Sequence, residues 1–445
     1  MKTATIGIDF GTTNSSIALA NSSGHVELAH FSEMGTPTDS YRSLLYLEQV
    51  KERGVNTLKS WSGPDGIEHY LSAEGNGRLM QSLKSFLSSR SLQTTEVFGR
   101  RHTLISLIAR ILQDLRQNAE AQFGVKINAA VVGRPVQFVA AENEDDNKYA
   151  ENRLAEALRA AGFESVEFEL EPVAAALYYE STLDRDQLIL IGDFGGGTSD
   201  FSLLRVGPTI RRRGRTAADL LGNAGIGLAG DAFDAKIVRH LVAPALGAGS
   251  QMRSLNKLLS VPGWVYSKLE RWHHLSFLKA RDTMEMLRGV RGHAVEPEKI
   301  KALIHLIKED LGFRLHRSVQ AVKCELSYKP KATFKFSDGV VDIEATLERS
   351  VFEVWIAEEL DQIQTCVDLL LSRSGGRCED VDAVFLTGGS SFVPAVRRIF
   401  EARFGSNKIR TGNEFTSVAH GLALKSSYSA GSSMKSSGGR KSLGN

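Results

Sequence analysis

Cysteine is scarce: Cys324, Cys366 and Cys378 are the only three in 445 residues, widely spaced and without a CxxC or a paired-His companion. Neither a disulfide framework nor a structural zinc site fits that pattern, and the thiols read as reduced. An excess of one charge is missing too. Lys and Arg total 54 against 52 Asp and Glu, so no nucleic acid is indicated and no membrane surface is called for. No apolar run approaches the length of a membrane span. The N-terminus enters a strand bearing Gly and Asp within a few residues, which leaves no room for the n- and h-regions of a secretory signal. The expected compartment is the cytoplasm. Also absent are Gly-Lys-Ser/Thr, which excludes a P-loop, and a His-Arg-Asp loop, which excludes a protein kinase. What is present is a globular composition, 42% hydrophobic and 24% charged, long enough for two or three compact units.

Apolar periodicity organises the chain. Leu104, Leu107, Ile108, Ile111, Leu112 and Leu115 predict an amphipathic helix between His102 and Phe123. A strand at Asn128–Gly133, a helix at Ala150–Ala161, a strand at Ser165–Leu170 and the helix EPVAAALYYE follow, with Pro172 suited to the first turn of the last. The pattern restarts at Leu188. Such βαβ alternation predicts largely parallel sheets covered by helices, in two similar lobes at 1–185 and 186–425. In the second lobe, Asp231–Leu246 and Leu347–Arg373 read as helices and FKFSDGVVDIEA as a hairpin. Residues 32–90 carry no clear period. The basic stretch 251–292, with Trp264, Trp272, His273 and His274, reads as an inserted helical pair, expected to pack its tryptophans on the lobe, with a docking surface for a client, a cochaperone or nucleic acid as the alternative. Residues 426–445 are rich in Ser and Gly and hold no acid, which predicts a disordered tail.

Chemistry concentrates in a repeat. IGIDFGTTNSS and LIGDFGGGTSDFS each run apolar strand, Asp-Phe-Gly, small residues, strand. One copy alone would pass for a strand bulge or tight turn. Two copies point instead to a pair of glycine turns whose backbone N–H groups clamp a polyphosphate. Asp9 and Asp193 would then face one ligand and repel each other unless a hydrated magnesium ion lies between them. GIGLAG matches the dinucleotide expression, but no buried strand precedes it and no acid stands at the expected distance. Gly230 still opens a helix toward an anion, and Gly388, Gly389 and Ser390 form a third glycine turn able to pass a nucleoside closely.

These segments, with EPVAAAL, LAGDAFD and FLTGGSSFVP in this order, resemble the nucleotide-binding domain of the seventy-kilodalton heat-shock chaperones, the DnaK family. The resemblance reaches to about Lys425. It implies an α/β architecture of the actin-like ATPase type, with duplicated ribonuclease-H-like lobes around a nucleotide cleft, and ATP with Mg2+ as cofactors. It also implies phosphate contacts from Gly11, Thr12, Thr13 and Asn14, and from Gly195, Gly196, Gly197 and Thr198. Asp9 and Asp193 would hold the magnesium through water, with Glu171 in the same network. Lys84 would reach the γ-phosphate, and Thr198 and Asp200 would lie near the attacking water. The reaction implied is phosphoryl transfer to water.

The chain departs from the family's pattern at the base. Gln320, Lys323 and Cys324 stand where the family has glutamate, lysine and arginine, and Phe392 replaces another arginine. Lys323 is thus the one cation kept for nucleotide binding. The sequence is also expected to lack the apolar linker and the peptide-binding β-sandwich, so a bacterial chaperone-like homologue without the usual allosteric route is implied, with a protein client or cochaperone as partner. Two other classes share the fold. A small-molecule kinase would need a carboxylate base for which no motif is present. A filament or scaffold protein fits EPVAAAL nearly as well, but GTTNS and Lys84 favour the chaperone branch.

Overall fold

The computed structural model describes residues 3–21, 23–52, 55–73, 77–271, 275, 278–412 and 415–437, with backbone alone from 428. Contacts divide the chain into two units: Met1–Ala229 with Ile363–Ser391 and Arg398–Asn445, and Gly230–Gln362 with Phe392–Arg397.

The first unit holds two sheets built alike. In strand order one runs Ser165–Leu170, Lys126–Arg134, Thr3–Phe10, Asn14–Ala20 and Val26–Leu28; the other runs Ile409–Arg410, Ala383–Thr387, Gln187–Phe194, Ser199–Val206 and Leu220–Ile226. In each, the first two pairings are parallel and the last two antiparallel. The repeated sequence is therefore a repeated topology. Register agrees as well: Asp9 pairs with Ser16 in the first hairpin, and Asp193 with Asp200 in the second. Leu188 through Phe194 are buried without interruption, as expected for a central strand covered on both faces.

Helices cover these sheets as the apolar spacing predicts. Leu104–Phe123 buries all six of its predicted core residues, opens on Thr103, whose side chain accepts the Ser106 N–H, and stops at left-handed Gly124. Glu144–Ala160 opens on Asn143 with three acids in its first turn, which suits the helix dipole. Ser417–Ser437 lies so close to the first sheet that a Cβ on Gly7 would sit 2.3 Å from the Ala423 nitrogen. On its other side, a Cβ on Gly421 would sit 1.7 Å from the Ala174 carbonyl oxygen. Glycine at both positions is what allows this helix to fit. The backbone stays helical well past residue 426, where composition predicts disorder, because a docked first half has already met the nucleation cost. Residues 438–445 lie outside the described residues.

Residues 32–90, unassigned from periodicity, contain a three-stranded sheet of Val55–Ser62, Leu44–Glu52 and Gly77–Gln81 with the helix Gly63–Ser72. Leu44–Leu47 are buried while the rest of that strand is not, so no single period spans it.

The second unit corrects two expectations. The inserted helical pair is instead a hairpin, Gln251–Ser254 with Lys257–Ser260, followed by the helices Trp264–Leu269 and Arg281–His293. Trp264 is 49% exposed rather than packed away; Trp272, His273 and His274 lie outside the described residues. The predicted long helix Leu347–Arg373 breaks at Ile356 into Arg349–Trp355 and Ala357–Ser374. Lys331–Ser337 and Asp342–Glu348 form the predicted hairpin. Its turn is held by Asp338, whose carboxylate accepts the N–H groups of Val340 and Val341.

Candidate functional site

The two Asp-Phe-Gly turns meet in the first unit. A Cβ on Gly197 would stand 2.8 Å from Val139 Cγ2 and 3.2 Å from Thr12 Oγ1, so glycine here lets the second turn close on the first. The third glycine turn joins them: Asp193 pairs with Thr387 across the sheet, and a Cβ on Gly388 would strike the Phe194 carbonyl. Gly389 and Ser390 begin the short 3₁₀ turn that follows. Gly11, Thr13, Asn14, Gly195 and Gly196 complete the loops, each at least partly open to solvent.

Beside these turns lies a buried charge cluster. Lys84 Nζ donates to Glu171 Oε1 at 2.7 Å, and both side chains are under a tenth exposed. Glu171 opens the helix Glu171–Ser181, where a carboxylate also faces the positive end of the helix dipole. Burial works against the Lys84 ammonium, but Glu171, Asp9 and Asp200 outweigh it and raise its pKa. Burial, reinforced by Glu171, pushes Asp9 up to about 7. Burial with Glu171, Asp9 and Asp200 drives Asp193 well above the ordinary carboxylate value. Asp200, 1% exposed, is pushed up to about 7 by burial and by Glu171.

Four carboxylates thus share one ammonium, an arrangement that calls for more positive charge. Among the described residues no three His, Cys, Asp or Glu side chains gather closely enough to ligate one ion directly. The donor set fits a cation that keeps its water shell, as magnesium does.

Sequence reasoning missed the restraints around this cluster. Asp200 Oδ1 accepts the N–H groups of Val136 at 2.6 Å and Gln137 at 3.4 Å, and the Thr198 hydroxyl donates to the same carboxylate. The backbone of the loop after Lys126–Arg134 therefore restrains Asp200, and no side-chain pattern announces that. Ser82, two residues before Lys84, adopts a left-handed backbone, φ 50° and ψ 31°, while wholly buried. Strain of that kind is common where a segment must be aimed.

Gly230 and Lys323 belong to the second unit. There Lys323 Nζ lies 2.8 Å from Asp234 Oδ1 and donates to the Gly230 carbonyl at 3.1 Å. Cys324, next along the helix Gly312–Tyr328, is exposed. Phe392 packs near Tyr328, ring centroids 6.3 Å apart.

Comparison with known proteins agrees with this geometry. The family model described as Hsp70 protein matches residues 84–252 and 289–436, well over half of the chain. The hairpin strand Lys257–Ser260 and the helix Trp264–Leu269 fall in the gap. The "Chaperone protein DnaK" of Thermosipho africanus is 26% identical over 427 residues, covering 96% of this chain and 59% of the relative. Its counterparts in Thermotoga neapolitana and Thermosipho melanesiensis are each 25% identical, with the same coverage. The chain spans somewhat over half the length of these relatives. Among the described residues, no helix is long and apolar enough to cross a membrane. The duplicated sheets, the facing glycine turns and the extent of the match together establish that the chain belongs to the Hsp70 family and carries its α/β, actin-like ATPase fold.

Proposed function

We propose that this chain binds ATP with hydrated Mg2+ and hydrolyses it, as the nucleotide-driven part of a chaperone-like protein acting on protein clients. The observation that carries the reading is the meeting of Thr12 and Gly197 from the two turns in the unit that also holds the Lys84–Glu171 pair. The turns would bind phosphate oxygens through backbone N–H groups. Asp9 and Asp193 would hold the hydrated ion, which when bound neutralises phosphate charge and orients the polyphosphate. Lys84 would meet the terminal phosphate, with Glu171 fixing its ammonium. Asp200, poised near pH 7, would take the proton from an attacking water that Thr198 helps to orient. Gly388, Gly389 and Ser390 would pass the nucleoside.

The test is ATP turnover by the purified protein beside Thr198→Ala and Lys84→Ala. Each variant is expected to lose at least about 100-fold in rate. Wild-type turnover indistinguishable from both would end the hydrolysis reading. Similarity to the DnaK chaperone proteins supports the chaperone assignment; binding of an unfolded model protein, compared with and without ATP, tests it.

A further inference from the structure

Lys84 sits on a weak element. The 3₁₀ helix Leu83–Phe86 is four residues long, and such a turn has little stability of its own. Its start is the strained, buried Ser82. At its last residue and beyond, the carbonyls of Phe86, Leu87, Ser89 and Leu92 turn toward a single side chain. Arg153, 5% exposed, donates from Nη1 to the oxygens of Phe86 at 3.1 Å, Leu87 at 2.8 Å and Ser89 at 3.0 Å, and from Nη2 to Leu92 at 2.8 Å. This buried cation meets carbonyl dipoles and the Tyr149 ring, 5.2 Å from its guanidinium, and forms no ion pair among the described residues, though Glu156 lies near enough to favour its charge. Burial lowers its pKa, yet a guanidinium stays charged throughout the working range.

The same helix face carries the flanking restraints. Asp146 pairs with Arg90 at 3.1 Å, and the Tyr149 hydroxyl accepts Gln93 Nε2 at 2.9 Å. Residues 146, 149 and 153 recur at helical spacing on Glu144–Ala160, so one helix face grips residues 86–93 along their length. Arg153 is its centre, and the only member both buried and charged.

We propose that Arg153 is a positioning residue for Lys84: by gathering four carbonyls it fixes the segment that aims the Lys84 ammonium at Glu171 and, on the function proposed above, at the terminal phosphate. The fork shape of the guanidinium is essential. An ammonium presents a single point and cannot span the distance from Phe86 to Leu92.

The experiment uses the full chain with Arg153→Met and Arg153→Lys. Amine labelling read by mass spectrometry is expected to find Lys84 protected in the parent and roughly tenfold more reactive in Arg153→Met, with faster amide exchange over residues 83–93. Leu104–Phe123 should stay protected, which reports that the unit remains folded. Arg153→Lys should be intermediate; it carries the same readout if the methionine variant does not fold. Lys84 unreactive and residues 83–93 protected in a folded variant would overturn the proposal. Single-turnover hydrolysis adds the functional arm: kcat should fall up to about 100-fold in Arg153→Met with nucleotide affinity unchanged, and the Lys84→Ala, Arg153→Met pair should be no slower than Lys84→Ala alone. Additive losses would mean that Arg153 acts elsewhere. Should Lys84→Ala hydrolyse ATP like the parent, the catalytic role of Lys84 fails by itself, and labelling still decides the role of Arg153.

Discussion

Replacing Asp200 with Asn removes one buried charge and keeps the oxygen that accepts the Val136 and Gln137 N–H groups. In the fold Asp200 titrates near 7, against an ordinary value of 3.8. Its pKa is raised, so between pH 4 and 7 the native state holds a proton that the unfolded chain has released. Stability from this group is therefore greatest below pH 4, falls as pH rises, and levels off above 7. The slope is one proton, roughly 1.4 kcal/mol per pH unit, or about 4 kcal/mol over the interval. At 1% exposure, solvent screening reduces this little. Asp200→Asn has no proton to lose at that position. It should match the parent near pH 4 and exceed it increasingly toward pH 7, without nucleotide or magnesium. Asp200 also raises the pKa of Asp193, so the gain should slightly exceed one proton. The assay is denaturant unfolding of both proteins at pH 4, 5, 6, 7 and 8, followed by circular dichroism. Parallel pH profiles would refute the reasoning, for they would mean that Asp200 ionises as easily in the fold as in water. On the proposed function the stabilised variant should be inactive, the usual trade of stability for a poised site.

Two glycines give sharper steric tests. Gly197→Ala places a methyl against Val139 and Thr12; overpacking of that kind costs about 1–3 kcal/mol, and because it parts the two turns, ATP affinity by calorimetry should weaken roughly tenfold. Unchanged affinity would separate the turns from the phosphate. Gly421→Ala drives a methyl into the Ala174 carbonyl, where backbone on both sides prevents escape, and should cost about 3 kcal/mol or more in thermal unfolding. The control is Gly289→Ala, in the helix Arg281–His293 with open space around it, which should stabilise by about 0.5–1 kcal/mol.

How far the sequence could be read depended on whether the deciding physics was local. Alternating apolar residues, Asp-Phe-Gly and the Gly turns specify two hairpins because strand and turn preferences act over a few residues. The six apolar positions of Leu104–Phe123 likewise specify a helix and its buried face. Composition misled where context prevailed. The Ser-rich residues 426–437 are helical because the turns before them are docked on Gly7 and Ala174. The tryptophan-bearing insertion opens as a hairpin, and its left-handed turn residue Leu255, φ 52°, is one no local preference would choose.

By itself, then, the sequence determined the repeat, the fold class and the position of the glycine turns, since each is written within one short segment. Tertiary structure alone decided the charge cluster. Asp9, Lys84 and Glu171 come from three separate places along the chain and Asp193 and Asp200 from a fourth, the second hairpin, and the raised pKa values of Asp9, Asp193 and Asp200 arise from shared burial and mutual repulsion. It also decided what aims Lys84, because four carbonyls meeting one guanidinium leave no trace in residue type. Backbone oxygens are the same in every residue; only folding brings them to one point.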